Sequence, residues 1–340
     1  MIRHSTLFIT HRGLTHQQAA LNAAPPELDI TMVRTPSKQE IIDLLPGREI
    51  LISERSGEID ADIIAAGKDL RLIQRLGSQT WDIDLPAARQ AGIPVCYLPV
   101  LTCVNVAEHM MLQMLGLAKR LREVETITIE AGDWGMPPKK CDEDYFAYNW
   151  SAREDIRSLY GSTVGIVGMG EIGAELARRL RNFDCRVLYN KRNSLPAGAE
   201  EELQVEFAAM DDLLAQSDFV CLLLPLFPET EGIVNRAFIQ RMKRGAILVS
   251  CGASGILNEA EVRDALEVGD LYGLATDTYA WEPIRDDNPL LRLARQKSTN
   301  ILLTPHTAAG TVAARPEERQ RDYRNILRLL NGQPLANRLA

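Results

Sequence analysis

Aromatic residues make up only 6% of the 340 residues, and histidine occurs just five times. Few side chains can therefore exchange a proton near neutrality. Metal-ligand spacing is absent too. The six cysteines stand at positions 96, 103, 141, 185, 221 and 251, none in a close pair. Several lie inside apolar runs such as Phe219-Val220-Cys221-Leu222. They are expected to be reduced, buried thiols, with no metal centre. No apolar run approaches the roughly 20 residues that span a bilayer, so no membrane partner is expected. A basic surface is missing as well. The net charge of -8 argues against nucleic acid, whose binding needs cations to displace phosphate counterions. The N-terminus shows no signal-peptide pattern, and the expected location is cytoplasmic.

What is present is an ordinary globular balance, 46% hydrophobic and 25% charged, in a chain long enough for two domains. In the first hundred residues, strand-like runs (Leu7–Thr10, Ile30–Val33, Ile50–Ser53, Leu72–Leu76, Val95–Tyr97) alternate with helical ones (Thr15–Ala23, Lys38–Leu44, Asp60–Ala66, Leu85–Ala91). Such alternation predicts a parallel sheet with helices on both faces. Val104–Glu125 has apolar residues at helical spacing and no proline, which predicts one long helix. Residues 130–157 collect glycine, proline and aromatics and are expected to form a loop. Strands resume at Thr163–Val167, Arg186–Tyr189, Phe219–Leu224, Ile247–Ser250, Gly273–Asp277 and Ile301–Thr304. A helical tail, Glu317–Leu330, closes the chain.

The run Thr163-Val164-Gly165-Ile166-Val167 leads directly into Gly168-Met169-Gly170-Glu171-Ile172-Gly173 and then a helical pattern. Strand, glycine turn and helix in this order predict a dinucleotide site. The first glycine allows the tight turn, the second lets the backbone approach a pyrophosphate, and the third lets helix pack on strand. Free N–H groups and the helix dipole then favour the anion. After the next strand, a carboxylate would select the ribose 2′-hydroxyl of NAD. The sequence has Asn190-Lys191-Arg192 instead. An uncharged residue followed by two cations predicts NADP as the preferred cofactor, with NAD second.

From about Arg71 to Gly310 the order of motifs resembles the D-2-hydroxyacid dehydrogenases, including hydroxypyruvate and glyoxylate reductases. Leu72-Ile73-Gln74-Arg75-Leu76-Gly77 with Asp82-Ile83-Asp84 resembles that family's substrate loop, which brings in Ser78. Val106-Ala107-Glu108-His109 resembles the start of its interdomain helix, and Leu224-Pro225 its adenosine-side loop. Met242–Val249 leads into its catalytic turn, and Asp277, Glu282-Pro283 and Thr304-Pro305-His306 complete the set. The resemblance implies two doubly wound parallel-sheet domains, Rossmann-like and flavodoxin-like, with an interdomain cleft. The flavodoxin-like substrate domain would comprise 1–104 plus 307–340. The dinucleotide-binding Rossmann domain would be 105–306. It also implies a homodimer joined through the cofactor domain.

On that reading His306 is the proton donor, since imidazole titrates near neutrality. Glu282 is its carboxylate partner, fixing the tautomer and favouring the imidazolium. Cys251, Gly252, Asp277 and Ala308 would line the cofactor. One departure stands out. The family's substrate-binding arginine falls on Ala253, in Ser250-Cys251-Gly252-Ala253-Ser254-Gly255. Alanine cannot pair with a carboxylate. Arg55, beside Ser56, is the leading replacement and Arg75 the second. Otherwise the substrate lacks an adjacent carboxylate, or catalysis is lost. The expected function is NADPH-dependent reduction of a small 2-keto acid or related carbonyl compound. The alternative is a noncatalytic dinucleotide-binding sensor or scaffold.

Overall fold

Continuous apolar runs separated by capped helices give this chain two all-parallel sheets. A computed structural model describes residues 3–55, 57–310 and 316–340. They divide into two units, Met1–Asn105 with Ala309–Ala340, and Val106–Ala308.

In the first unit β1 (His4–Thr10), β2 (Leu28–Arg34), β3 (Ile50–Glu54), β4 (Leu72–Leu76) and β5 (Val95–Leu98) pair in the order β2-β1-β3-β4-β5. Every pair is parallel. Strands β3 and β4 are buried along their whole length, as expected for strands covered on both faces. Their neighbouring residues serve opposite cores. Leu7, Leu51 and Ile73 belong to one apolar cluster, and Phe8, Ile52 and Leu72 to the other. That is the period of two expected of a strand. Helices α1 (Leu14–Asn22), α2 (Lys38–Leu44), α3 (Ala61–Ala66) and α4 (Leu85–Gln90) cover the faces. The start of α2 is set by a capping box. Ser37 accepts from the Glu40 N–H while Glu40 accepts from the Ser37 N–H, satisfying two otherwise orphaned donors. The tail forms a 3₁₀ stretch, Pro316–Tyr323, and a helix, Arg324–Leu330. Tyr323 and Ile326 pack with Phe8, and the Tyr323 hydroxyl donates to the Ala20 carbonyl at 2.7 Å.

The second unit carries β6 (Thr163–Val167), β7 (Arg186–Asn190), β8 (Glu206–Phe207), β9 (Phe219–Leu222), β10 (Ala246–Ser250), β11 (Leu271–Thr276) and β12 (Ile301–Leu303). Their order is β12-β11-β10-β9-β6-β7-β8, again all parallel. Counting from β6 as the first strand, this is the doubly wound 3-2-1-4-5-6 order with one strand added at the far edge. Strand order reverses between β6 and β9, directly above the glycine turn.

Three sequence expectations change. The single helix over Val104–Glu125 is two, α5 (Leu101–Ala118) and α6 (Leu121–Glu130). Arg120 breaks them with a left-handed φ of 50°. Its guanidinium holds Glu123 at 2.6 Å and the Ser298 carbonyl at 2.8 Å. The Ser298 carbonyl is a tertiary partner, which hydrophobic periodicity cannot see. Second, β9 ends at Leu222 and β11 at Thr276, so Leu224 and Asp277 stand on loops past strand ends rather than inside strands. Third, β8 and several short helices of this unit escaped the apolar pattern, being too brief to set a period. Residues 131–158 contain no helix or strand. Among the described residues no helix is long and apolar enough to cross a membrane.

Candidate active site

Each glycine of the turn after β6 answers to a different neighbour. Gly168 has a φ of 103°, and a Cβ there would meet the Leu223 carbonyl oxygen at 2.7 Å. Only glycine relieves both constraints. A Cβ on Gly173 would sit 3.1 Å from the Met169 sulfur and 3.2 Å from the Gly168 carbonyl, so this glycine lets α7 (Glu171–Leu180) lie close to the turn. Gly170 differs, because a Cβ there would meet nothing within 4 Å. The side it leaves open lies at the amino end of a ten-residue helix whose N-cap has no side-chain hydrogen bond. A helix amino end, with the positive end of its dipole, beside an open face fits a pyrophosphate. Met169 is buried at 2% exposure, so it serves packing.

At the end of β7, Asn190 donates its side-chain amide to the Ala208 carbonyl at 2.8 Å. Arg192 is exposed. Among the described residues from Asn190 to Asn193 there is no carboxylate. The loop of Leu224-Pro225 is braced by Thr230, whose hydroxyl donates to the Pro225 carbonyl at 2.7 Å.

The turn after β10 is tied down from both sides. The Ala253 N–H donates to the Leu224 carbonyl at 2.9 Å, and the Thr278 hydroxyl donates to the Gly252 carbonyl at 3.1 Å. Gly252 allows this close approach, since a Cβ there would lie 2.9 Å from the Leu224 oxygen. Burial pushes the Cys251 thiol up, and it donates to Gln113 at 3.3 Å. It packs against Gln113.

His306 and Glu282 do meet. Nδ1 of His306 lies 2.6 Å from Oε2 of Glu282. Oε1 of Glu282 accepts from the Ser254 hydroxyl at 2.9 Å and from the Tyr279 N–H at 3.0 Å. Burial pushes this carboxyl up, but the hydrogen bonds from His306, Tyr279 and Ser254 outweigh it and hold Glu282 below the usual carboxylate range. An ionised Glu282 can only accept, so the Nδ1 of His306 that faces it carries the proton. Nε2 is then the nitrogen that gives and takes a proton. The imidazole is exposed, and its backbone has a φ of 53°. A left-handed histidine costs on the order of 1–3 kcal/mol unless its surroundings over-determine it.

Asp277 supplies those surroundings. It is 1% exposed. One carboxylate oxygen accepts from the Thr304 hydroxyl at 2.6 Å and the Thr307 N–H at 3.0 Å. The other accepts from the Ala308 N–H at 2.8 Å, and the Asp277 carbonyl accepts from the His306 N–H at 2.9 Å. Residue 277, expected to reach the cofactor, thus has its side chain engaged in holding the turn that carries His306. Ser254 was missed by sequence reasoning. Its one available signal was a hydroxyl next to the substituted position.

The first unit holds the remaining candidates. Arg75 is wholly buried, with 0% of its side chain exposed. It grips Asp82 at 2.9 Å and the Gly57 carbonyl at 2.9 Å. Its guanidinium ties two loops together instead of reaching outward. Ser78 is buried at 7% exposure. Ser56 lies outside the described residues. Arg55 lines a cavity of about 330 Å³ and has a φ of 71°, with its N–H donating to the Leu76 carbonyl at 2.6 Å.

Residues 111–308 match the family model described as "D-isomer specific 2-hydroxyacid dehydrogenase, NAD binding domain". A hydroxypyruvate reductase of Thermotoga maritima is 31% identical over 288 residues, 85% of this chain and 86% of the relative. A D-3-phosphoglycerate dehydrogenase of Archaeoglobus fulgidus is 30% identical over 311 residues, 91% of this chain but 55% of the relative. The chain therefore spans little more than half of that longer protein. Among solved structures, one from Pyrococcus horikoshii superposes with a TM-score of 0.57 at 27% identity, covering 99% of this chain and 95% of its own.

Proposed function

Since the chain belongs to the D-isomer-specific 2-hydroxyacid dehydrogenase family, we propose that it moves a hydride between a nicotinamide dinucleotide and a small 2-keto acid or 2-hydroxy acid. The observation that carries this reading is the 2.6 Å contact between His306 and Glu282, with Glu282 fixed by two further donors. A carbonyl taking up hydride becomes an alkoxide and needs a proton at once. Nε2 of His306 delivers it, and the Glu282 carboxylate stabilises the imidazolium that must precede delivery. In the oxidative direction the same nitrogen takes the hydroxyl proton. The nicotinamide supplies or accepts the hydride when bound. The open face at Gly170 and the amino end of α7 hold its pyrophosphate, and Leu224-Pro225 flanks the adenosine side. Asp277 positions His306 without itself donating. The first unit serves the substrate, through Arg55.

NADPH is the preferred form on this reading. The Asn190–Asn193 turn offers a 2′-phosphate no carboxylate to repel it and an exposed Arg192 to pair with it. Titrating NADPH and NADH by quenching of intrinsic fluorescence tests this, and tighter NADH binding overturns it. Consumption of NADPH over a panel of glyoxylate, hydroxypyruvate, longer 2-keto acids and simple aldehydes tests the activity. Tight cofactor binding without turnover of any of them would establish the sensor alternative.

A further inference from the structure

In the first unit the strand order reverses between β1 and β3. Open α/β sheets bind ligands in the crevice beyond the carboxyl ends of the strands at that switch point. Arg12 follows the end of β1 by two residues, and Arg55 follows β3 directly. Both line the cavity of about 330 Å³ there, together with His16 from α1.

The charges of this crevice do not balance. Four guanidiniums (Arg12, Arg55, Arg319 and Arg321) face three carboxyls (Glu54, Glu318 and Asp322). The carboxylates are already taken. Arg319 holds Glu54 at 2.8 Å and Asp322 at 3.0 Å, and Arg321 holds Glu318 at 2.5 Å. Glu54 also accepts from the Thr10 hydroxyl. Burial pushes the Asp322 carboxyl up to about 7, so it supplies less than a full negative charge near neutrality. Among the described residues neither Arg12 nor Arg55 has a carboxylate partner. Among the described residues the Arg12 guanidinium meets the His16 ring, at 2.6 Å. Burial and the neighbouring Arg55 guanidinium both weaken Arg12's hold on its proton.

The Arg12 position is built rather than loose. Its N–H donates to the Thr10 hydroxyl at 3.0 Å and its carbonyl accepts from Gln17 at 2.8 Å. Arg55 is held in a left-handed backbone conformation, a cost that a function requiring this side-chain placement would explain. Two like charges kept side by side, with only Glu54 near both and that carboxylate already bonded to Arg319 and Thr10, are destabilising until an anion arrives.

We propose that this switch-point crevice binds a doubly charged anionic group of the substrate, a phosphoryl group or a second carboxylate beside the first, through Arg12 and Arg55. A single carboxylate would leave one guanidinium uncompensated. Two negative charges satisfy both, and each guanidinium offers paired donors to a planar or tetrahedral anion. The proposal rests on the oxidoreductase reading above and names the substrate class for it: phosphorylated or dicarboxylic 2-keto acids, ahead of monocarboxylic ones.

The test has two arms on the full chain. The kinetic arm compares kcat/KM with NADPH for 3-phosphohydroxypyruvate, oxaloacetate, glyoxylate and pyruvate. The doubly charged compounds are expected to lead by roughly 10–100-fold, the scale of one extra charged hydrogen-bonded contact. A lead by 3-phosphohydroxypyruvate alone assigns the crevice to phosphoryl groups, and a lead by oxaloacetate alone assigns it to dicarboxylates. In Arg12→Ala the lead should collapse, and in Arg12→Lys it should recover in part. The second arm is calorimetric titration of inorganic phosphate into wild type, Arg12→Ala and Arg55→Ala, and it needs no turnover. Loss of phosphate binding in both variants supports the crevice even if no keto acid is reduced, in which case the oxidoreductase reading alone falls. Equal phosphate binding in all three proteins, or a wild type that prefers glyoxylate and pyruvate, overturns the proposal. If the alanine variants fail to fold, the wild-type preference decides by itself.

Discussion

The two units share one construction and differ in how they meet an anion. In both, parallel strands run outward from a switch point and the candidate ligand site lies just beyond it. The second unit presents main chain there, with an open face at Gly170 and a helix end. The first presents side chains, with Arg12 and Arg55 around a cavity. Topology decides where a ligand goes, and the loops decide what it is. Backbone N–H groups suit a pyrophosphate common to many partners, whereas guanidiniums add net charge and so discriminate among substrates.

The largest expected effect would separate chemistry from binding. His306→Ala should lower turnover by about 10²–10⁴-fold and leave cofactor affinity unchanged, measured as steady-state rates beside a fluorescence titration. Equal turnover in the variant would place the proton elsewhere and leave the second unit only a binding role.

Next comes a pair of glycines in that unit. Gly168→Ala forces a Cβ to within 2.7 Å of a backbone oxygen at a φ of 103°. A cost of about 2 kcal/mol corresponds to a Tm fall of roughly 4–8 °C for a unit of this size. Gly170→Ala points a methyl into open space. It should leave Tm within about 1 °C while raising the cofactor Kd by roughly tenfold. If both variants behave alike in calorimetry and in cofactor titration, the main-chain side of the comparison is wrong.

The smallest effect sharpens the catalytic pair. Ser254→Ala removes one of three donors to Glu282. The carboxyl, now held down less firmly, rises towards its ordinary range and supports the imidazolium less well. The alkaline limb of keto-acid reduction should move to lower pH by roughly half a unit, the scale of one hydrogen bond shared between two groups. Ser254→Thr should restore the profile. A fall in rate with no movement of the limb would mean that Ser254 only supports the turn.

Much of this was legible in the chain. Ile50–Ser53 and Leu72–Leu76 read as strands because short runs rich in apolar side chains lie between helical stretches. The turn at Gly168–Gly173 was legible because strand, spaced glycines and helix follow one another directly, and at Gly168 the geometry admits only glycine. His306 and Glu282 could be named, but their contact spans 24 residues and is made only by the fold. The break at Arg120 escaped, since the Ser298 carbonyl that its guanidinium meets lies far along the chain.

By itself, then, the sequence determined what depends on neighbours along the chain: strand and helix alternation, the capping box at Ser37, the glycine turn, and the absence of an arginine at Ala253. Tertiary structure alone decided which charges are spent and which remain available. Arg75 and Arg55 look alike as isolated residues, yet one is sealed around Asp82 and the other stands beside Arg12 at a cavity. Side-chain pairing is settled by how the fold sets one loop against another. Arg75 and Asp82 are only seven residues apart, yet nothing along the chain shows that the fold also brings Gly57 to the same guanidinium.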